Sequence, residues 1–211
     1  MAVGLATGAT GISFGAVSVT AGLSVPQTVA LSLLMFTGGS QFAFVSVVSA
    51  GGGGLASAST AALLGTRNLF YSVRLASLLR VRGLRRLVAA QVVIDESTAM
   101  AIARDDESEA SQAFWTTGLA VFVFWNLSTV IGALSTSGLS NPNVLGLDAA
   151  GPAAFIALLA PRLRGRESWF LAVAAAVVAL GATPLVPAGI PVLLAAALAV
   201  VVGLRPPGDA R

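Results

Sequence analysis

Cysteine, histidine and lysine are absent from this chain of 211 residues, and charged residues make up only 10% of it. Without cysteine there is no disulfide, no thiolate metal site and no cysteine nucleophile. Without histidine the chain lacks the usual proton carrier at neutral pH and the commonest metal ligand. We therefore expect no bound metal, no cofactor and no catalysis of the Ser/His or Cys/His kind.

Apolar residues dominate what is present: 56% of the chain is hydrophobic, and its mean hydropathy is +0.88. Soluble domains carry about 25% charged residues, so this chain has too few to cover a surface that faces water. The sequence predicts an all-α, polytopic helical membrane bundle in which residues 1–211 form one domain of about six or seven spans. The net charge of +3 is an orientation signal, and we expect no binding to nucleic acid.

Seven apolar stretches are long enough to be spans. They cover residues 3–23, Pro26 to about Ala50, a third stretch that follows the glycine turn at 51–54 and ends at about Leu79, 112–134, about Val144 to Leu163, 168–183 and 185–204. RVRGLRR at 80–86 is the strongest cytoplasmic marker. The less apolar stretch at 84–109 predicts a segment that is re-entrant or lies at the interface. Gly4, Gly8, Gly11 and Gly15 form two GxxxG pairs in the first span, where they favour close helix packing.

The stretch FTGGSQF at 36–42 interrupts the second predicted span with two glycines followed by Ser40 and Gln41. These residues are poor helix formers, so they predict a discontinuous helix around 37–41. Backbone without helical hydrogen bonds is tolerated in a membrane only where it is buried in protein or lines a cavity. The alternative is an unbroken helix in which Gly38 and Gly39 allow a tight crossing.

The stretch TRNLFYSVR at 66–74 places Arg67, Tyr71 and Arg74 on one helix face in a largely apolar segment. Arg74 can extend towards the arginine-rich turn, but Arg67 is deeper. An arginine near the bilayer centre costs about 2.5–3.5 kcal/mol, so Arg67 needs a carboxylate, a carbonyl or a wet cavity beside it. This indicates either a functional site or an ion pair that fixes helix register.

Asp95 and Glu96, in VVIDESTAM, are the candidate partners of Arg67 and the candidate groups for proton coupling. They are equally well explained as the start of a helix, where negative charge is favoured by the helix dipole. Asp148 is a third candidate for proton coupling, with a helix start at the interface as its alternative explanation.

Together these stretches resemble the AzlC family, the large subunit of bacterial branched-chain amino acid exporters. The resemblance is carried by GISFGAVSVTAGLSVPQTVALSLLMFTGGSQFAF at 11–44, by Arg67, Tyr71 and Ser72, by Asp-Glu-Ser-Thr at 95–98 and by Leu-Asp at 147–148. It implies a multi-pass permease of the bacterial inner membrane that exports neutral, branched-chain amino acids. It also implies a small hydrophobic AzlD-type partner. We expect the proton gradient to be the energy source.

A substrate of this class has one carboxylate, one ammonium group and one apolar branch. We hypothesise that Arg67 or the N–H groups of the interrupted helix bind the carboxylate, and that Gln41, Asn68 and carbonyls near Gly38 bind the ammonium group. Phe14 or Phe42 would lie beside the apolar branch. The predicted site also includes Thr37, Gly39, Ser40 and Tyr71. Family members commonly have histidine where this chain has Asn68, which cannot carry a proton near neutral pH.

Three other classes of function remain open on the sequence. A structural or assembly subunit would use the small-residue helices only to hold a partner. A membrane enzyme would have to use carboxylates such as Asp95 and Asp148, whose spacing does not indicate a catalytic pair. A channel would share the hydropathy but would show flux that does not saturate.

The arginine-rich turns predict a topology that reporter fusions can check. If residues 84–103 enter the membrane and return, fusions at residues 82, 108 and 165 all report the cytoplasm. If these residues cross it, the fusions at 82 and 165 report opposite sides, which would contradict the predicted arrangement.

Overall fold

The computed structural model describes residues 2–138, 163–187 and 189–203, with a few isolated positions between 153 and 160. Every regular element within these residues is a helix, as the apolar runs predict. The helices are α1 (Ala2–Thr20), α2 (Val25–Leu34), α3 (Gly39–Ser49), α4 (Gly54–Leu79), α5 (Leu84–Gln91), α6 (Asp95–Ile102), α7 (Glu107–Ser137), α8 (Arg166–Ala182) and α9 (Ile190–Gly203). The predicted span that begins near Val144, and Asp148 with it, lies outside the described residues.

Helices α1 and α7 run parallel and in close contact, as the glycine pairs predict. A Cβ atom built on Gly4 would lie 3.0 Å from the Cβ of Ala120, and one built on Gly15 would overlap the carbonyl oxygen of Thr129. Gly132 on α7 likewise meets the backbone of Ile12. Only residues without a side chain allow two helix backbones to approach this closely. The C-terminal ends of α1 and α7 lie at the same end of the bundle, which we call the upper end. The opposite end, where α7 begins, is the lower end.

Helices α2 and α3 form a hairpin that enters from the upper end. Ser24 caps α2, and Pro26 lies in its first turn. The chain then descends along α7, since Ser32 Oγ donates a 2.7 Å hydrogen bond to Asn126 Oδ1 and the Phe36 ring meets Phe122. After the break α3 ascends along α4. Ser40 Oγ lies opposite Gly65, and the turn before α9 contacts both Val47 and Ala56.

The predicted interruption of the second apolar stretch is therefore present, but the chain reverses there instead of continuing. Helix α2 ends at Leu34 and α3 begins at Gly39. Gly38 has φ +63°, a conformation that residues with a side chain rarely adopt. With 10 and 11 residues, the two helices are each about 15 Å long, or half the thickness of a hydrocarbon core. The expectation of one span that reaches Ala50 is wrong. An apolar stretch has the same hydropathy whether the chain crosses the membrane or reverses within it.

Helices α5 and α6 form a second hairpin, which enters from the lower end. Arg80, at the end of α4, pairs with Glu107, at the start of α7, at 2.8 Å. From there α5 ascends until Val92 packs on Gly118, and α6 descends until Ala101 reaches the cluster that contains Phe114. The segment between residues 84 and 109 thus returns to the end from which it started, as in the re-entrant one of the two arrangements that the sequence allows.

Charge is distributed unevenly between the two ends. Among residues 2–138, every Arg, Asp and Glu apart from Arg67, Arg74, Asp95 and Glu96 lies between 80 and 109, at the lower end. The turns between α1 and α2 and between α3 and α4, at the upper end, carry none. This asymmetry is typical of a membrane protein whose lower end faces the cytoplasm.

Two of the described helices, Ala2–Thr20 and Glu107–Ser137, are long and apolar enough to cross a bilayer by length and composition. Helix α4 has 26 residues, or about 39 Å, but its polar groups lower its hydropathy. Large apolar side chains project outward on several helices; Leu55, Phe70 and Val73 are 84%, 75% and 76% exposed. An outer surface of this kind indicates a lipid environment or further apolar partners. The described residues do not confirm six or seven spans.

The contact between α1 and α7 predicts that replacing Gly15 destabilises the protein. In Gly15→Val the new side chain would collide with the backbone of Thr129 and Ala133. We expect the free energy of unfolding in detergent to fall by about 3 kcal/mol, at the upper end of overpacking effects. The matched control is Gly181→Ala on α8, which meets no atom within 4 Å and should change stability by less than about 1 kcal/mol. Equal effects in the two variants would contradict the close packing.

Candidate functional site

Arg67 lies halfway along α4, and its guanidinium group joins the breaks of both hairpins. Nη1 lies 3.0 Å from Oδ2 of Asp95, and Nη2 donates a 3.2 Å hydrogen bond to the carbonyl oxygen of Thr37. The side chains of Arg67 and Asp95 are 26% and 29% exposed. The pairing of Arg67 with Asp95 that the sequence offers as one possibility is therefore observed.

Asp95 reaches Arg67 because the second hairpin breaks directly before it. Ser97 Oγ accepts a hydrogen bond from the Ile94 N–H at 3.1 Å and donates one to the Val92 carbonyl at 2.6 Å. These two bonds satisfy backbone groups that would otherwise be unpaired at the break, and α6 then begins at Asp95. The carboxylate is thus placed at a helix N-terminus, where negative charge is favoured, and beside a cation at the same time.

Two further side chains link the breaks to their surroundings. Asn68 Nδ2 donates a 3.1 Å hydrogen bond to the carbonyl oxygen of Val93, and Gln91 Nε2 donates a 2.6 Å bond to that of Leu33. The second bond directly connects the end of α5 with the end of α2. The tips of the two hairpins therefore meet at one level in the middle of the bundle, beside Arg67.

Gln41 holds the first hairpin together. Its Oε1 accepts a hydrogen bond from the Gly38 N–H at 3.1 Å, and its Nε2 lies 3.4 Å from the carbonyl oxygens of Leu31 and Ser32. The side chain is fully buried. Through these hydrogen bonds Gln41 positions the break, and its contact with an ammonium group stays a prediction.

Three polar atoms near the two tips have unused hydrogen-bonding capacity. Nε of Arg67, Oδ1 of Asn68 and Oγ of Ser40 are each buried, and none has a hydrogen-bond partner among the described residues. Buried polar atoms in folded proteins are usually paired, so an unpaired set of this kind needs an explanation. Together the three atoms offer an N–H donor, an amide oxygen and a hydroxyl group.

A groove of about 380 Å³ lies beside the first tip, between α3 and α4. Thr37 and Ser40 line its polar side. Met35, Phe44, Ala58, Ala61, Ala62, Gly65, Thr66 and Leu69 form the rest of its wall. The small residues of α4 leave the space open. Arg67 is not one of the lining residues, but its Nη2 donates a hydrogen bond to the carbonyl oxygen of Thr37, which is one. The groove combines an apolar wall with a few polar groups at one end, as many small-molecule sites do.

The other predicted site residues lie farther from this groove. Phe14 is fully buried in a core cluster, where its ring centroid is 5.5 Å from that of Phe42 and 6.0 Å from that of Trp125. Tyr71 packs against the cluster that contains Leu75 and Phe114. Glu96 lies on α6 next to Asp95 and accepts a 3.5 Å hydrogen bond from Thr7 on α1.

Sequence reasoning missed Gln91 and the α4 residues that open the groove. Gln91 is a lone amide in a moderately apolar segment, a signal too common to single out. Gly65 stands two residues before Arg67, and it is on the α4 face opposite Ser40. The contribution of Gly65 to the groove can be recognised only when it is known that the chain reverses at Gly38 and that α3 therefore packs against α4.

Comparison with known proteins gives one match. A family model described as AzlC protein matches residues 2–139. No curated protein and no solved structure gives a significant match to the chain. The matched range contains α1 to α7 and therefore both hairpins and every contact of Arg67 described above.

The pairing of Arg67 with Asp95 predicts a measurable coupling energy. In a double-mutant cycle of Arg67→Ala and Asp95→Ala, we expect a coupling of about 1–3 kcal/mol in the free energy of unfolding, because both groups are largely withdrawn from solvent. The control cycle uses Arg80→Ala and Glu107→Ala, whose side chains are 73% and 55% exposed. It should give less than about 1 kcal/mol. A coupling at Arg67 no larger than that at Arg80 would contradict the ion pair.

Proposed function

This chain belongs to the AzlC protein family, and on that premise we propose that it exports branched-chain, neutral amino acids as one subunit of a transporter. Membership of the family indicates a membrane protein related to transport. The proposal includes a multi-pass location in the bacterial inner membrane with the lower end in the cytoplasm. It also includes a small hydrophobic AzlD-type partner.

The observation that carries the proposal is the convergence of two interrupted helices on one arginine. In transporters, interrupted helices expose backbone groups near the middle of the membrane, where they bind polar parts of a substrate. Here Arg67 contacts both interruptions, and the buried Nε, Asn68 Oδ1 and Ser40 Oγ lie close by without partners among the described residues. A costly intramembrane cation at such a place supports a substrate site.

These polar atoms are complementary to the two charged groups of a free amino acid. Arg67 offers N–H donors to a carboxylate, and guanidinium groups bind carboxylates well. Asn68 Oδ1 and Ser40 Oγ can accept hydrogen bonds from an ammonium group. The groove next to Ser40 offers Phe44, Ala61 and Leu69 to an aliphatic branch. Gly38, Gly39 and the Thr37 carbonyl shape the polar end, while Tyr71, Phe14 and Gln41 support the surrounding helices.

We further propose that Asp95 couples transport to the proton gradient. The Asp95 carboxylate lies 3.0 Å from Arg67 Nη1, beside the proposed substrate site. Because protons move inward while the substrate leaves, Asp95 must release its proton before the substrate binds and take up another after the substrate has left. The ionised carboxylate would then help to hold the substrate ammonium group. Glu96 is the nearest other acid on the same helix turn and is the second candidate for this role. Asp148 remains a third, outside the described residues.

Counterflow of labelled valine in proteoliposomes, with the protein alone and with an AzlD-type partner, tests the proposal. Arg67→Ala should reduce apparent affinity by about 10- to 150-fold, which corresponds to the loss of a charge-assisted hydrogen bond of about 1.5–3 kcal/mol. Arg74→Ala is the matched control, since Arg74 is exposed on the same helix and should leave transport within twofold of wild type. Normal valine export by correctly inserted Arg67→Ala would refute the site.

A second variant covers the case in which Arg67→Ala does not fold. Ser40 Oγ makes no hydrogen bond to any described residue, so Ser40→Ala should insert and unfold like the wild type. We expect its KM for valine to rise about two- to tenfold, as for the loss of one neutral hydrogen bond. An unchanged KM would remove Ser40 from the site, and absence of transport by the wild type with and without a partner would favour a structural subunit.

A further inference from the structure

We infer that residues 2–49 and 54–102 form an inverted repeat whose two hairpins are the gates of the transport site, one for each side of the membrane. Each unit consists of a long helix followed by a re-entrant helical hairpin: α1 with α2 and α3, and α4 with α5 and α6. The inference rests on the proposed function for the gating, but the repeat itself is independent of it.

The first unit runs upward before its hairpin. Contacts pair Gly4 with Ala120 and Gly15 with Thr129, so α1 ascends parallel to α7. The hairpin then descends from the upper end as far as Phe36, which meets Phe122, and returns.

The second unit runs downward before its hairpin. Helix α4 is antiparallel to α7, because Arg80 pairs with Glu107 while Leu75, one turn earlier, lies in the cluster of Phe114. The hairpin ascends from the lower end to Val92, which meets Gly118, and descends until Arg104 lies 4.0 Å from Glu109. The two units thus have the same order of elements in opposite orientations. Inverted repeats of this kind are common in secondary transporters.

The tips of the hairpins separate the site from the two ends of the molecule. The first tip, at 35–38, lies between the site and the upper end. The second tip, at 92–94, lies between the site and the lower end. Gln91 bonds to Leu33 between them, and Arg67 touches both. Withdrawal of one hairpin would open the site to one end, while the other hairpin kept it closed.

The first hairpin is held less firmly than α1, and this difference favours it as a moving part. Helices α1 and α7 interlock along their length through Gly4, Gly8, Gly15 and Gly132, which leaves no room for sliding. Helix α2 instead meets α7 through hydrogen bonds such as that from Ser32 to Asn126 and through the ring contact at Phe36. Such contacts can be broken and remade without overlap of backbones.

Labelling of single cysteines tests the repeat without any transport assay, and the natural absence of cysteine makes the wild type a clean background. A membrane-impermeant maleimide should label Leu23→Cys and Gly53→Cys from the outside, and Arg82→Cys and Asp105→Cys only from the cytoplasmic side. If residues 23 and 53, or residues 82 and 105, label from opposite sides, the corresponding segment crosses the membrane and the inverted repeat is refuted.

Disulfide locks test the gates. Ser32 Oγ and Thr129 Oγ1 are 3.3 Å apart, so Ser32→Cys with Thr129→Cys should lock the first hairpin to α7. Val92→Cys with Gly118→Cys should lock the second, since a Cβ on Gly118 lies 3.0 Å from that of Val92. Each oxidised pair should reduce valine counterflow at least tenfold, and reductant should restore it. The single-cysteine variants Ser32→Cys and Val92→Cys, treated with the same oxidant, are the controls, and they should keep counterflow within twofold of the untreated protein.

The outcomes separate the gating from the proposed function. Normal counterflow by both fully cross-linked hairpin variants would refute the gates while leaving an Arg67-dependent substrate site intact. Equal inhibition of the single-cysteine controls would also refute them, since the loss of transport would then not depend on a link between helices. Failure of the reduced variants and the wild type alike to transport would refute the proposed function, and the labelling pattern would still decide whether the repeat is present.

Discussion

The contacts of the Arg67 guanidinium group hold together the two hairpin tips in the middle of this protein. The group sits where two helical hairpins end, and it pairs with a carboxylate from one and a backbone carbonyl from the other. An arginine at the centre of a bilayer costs about 2.5–3.5 kcal/mol, and two unwound tips would add unpaired backbone groups to that cost. Here the cost of the buried cation and the cost of the unpaired backbone offset each other, because the tips supply the acceptors that the guanidinium group needs. The same contacts therefore stabilise the fold and form the candidate site.

The rest of the described bundle is arranged so that this meeting point stays accessible. Glycines remove side chains from the contact between α1 and α7, and this makes a rigid pair of helices against which α2 and α6 pack. Phe14 of α1 and Trp125 of α7 also form an aromatic cluster with Phe42 of α3. On α4 the small residues serve the opposite purpose, since Gly65 and Ala61 keep a groove open beside Ser40. The same residue type thus closes one interface and preserves a cavity at another.

Local chemistry was enough to predict several of these features from the sequence. Poor helix formers predicted the break near Gly38, the cost of a buried cation predicted an acidic partner such as Asp95 for Arg67, and the arginine-rich turn predicted that residues 84–109 return to their starting side. The reversal at Gly38 was not predicted, because an apolar run that crosses and one that turns back have the same hydropathy. It depends on distant contacts, such as Ser32 with Asn126 and Ser40 beside Gly65. For the same reason the internal pairing of Gln41 could not be foreseen.

The uneven placement of charge also bears on how the chain is inserted during synthesis. No charged residue lies in the turns at the upper end of residues 2–138, so the α2–α3 hairpin can follow α1 through the translocon without carrying an ion across. The turns that flank α5 and α6 hold Arg80, Arg82, Arg104 and several acids, and in the proposed orientation they stay on the ribosome side. In that orientation the second hairpin enters the membrane from the cytosol, and its packing against α4 and α7 implies that it inserts after both of them.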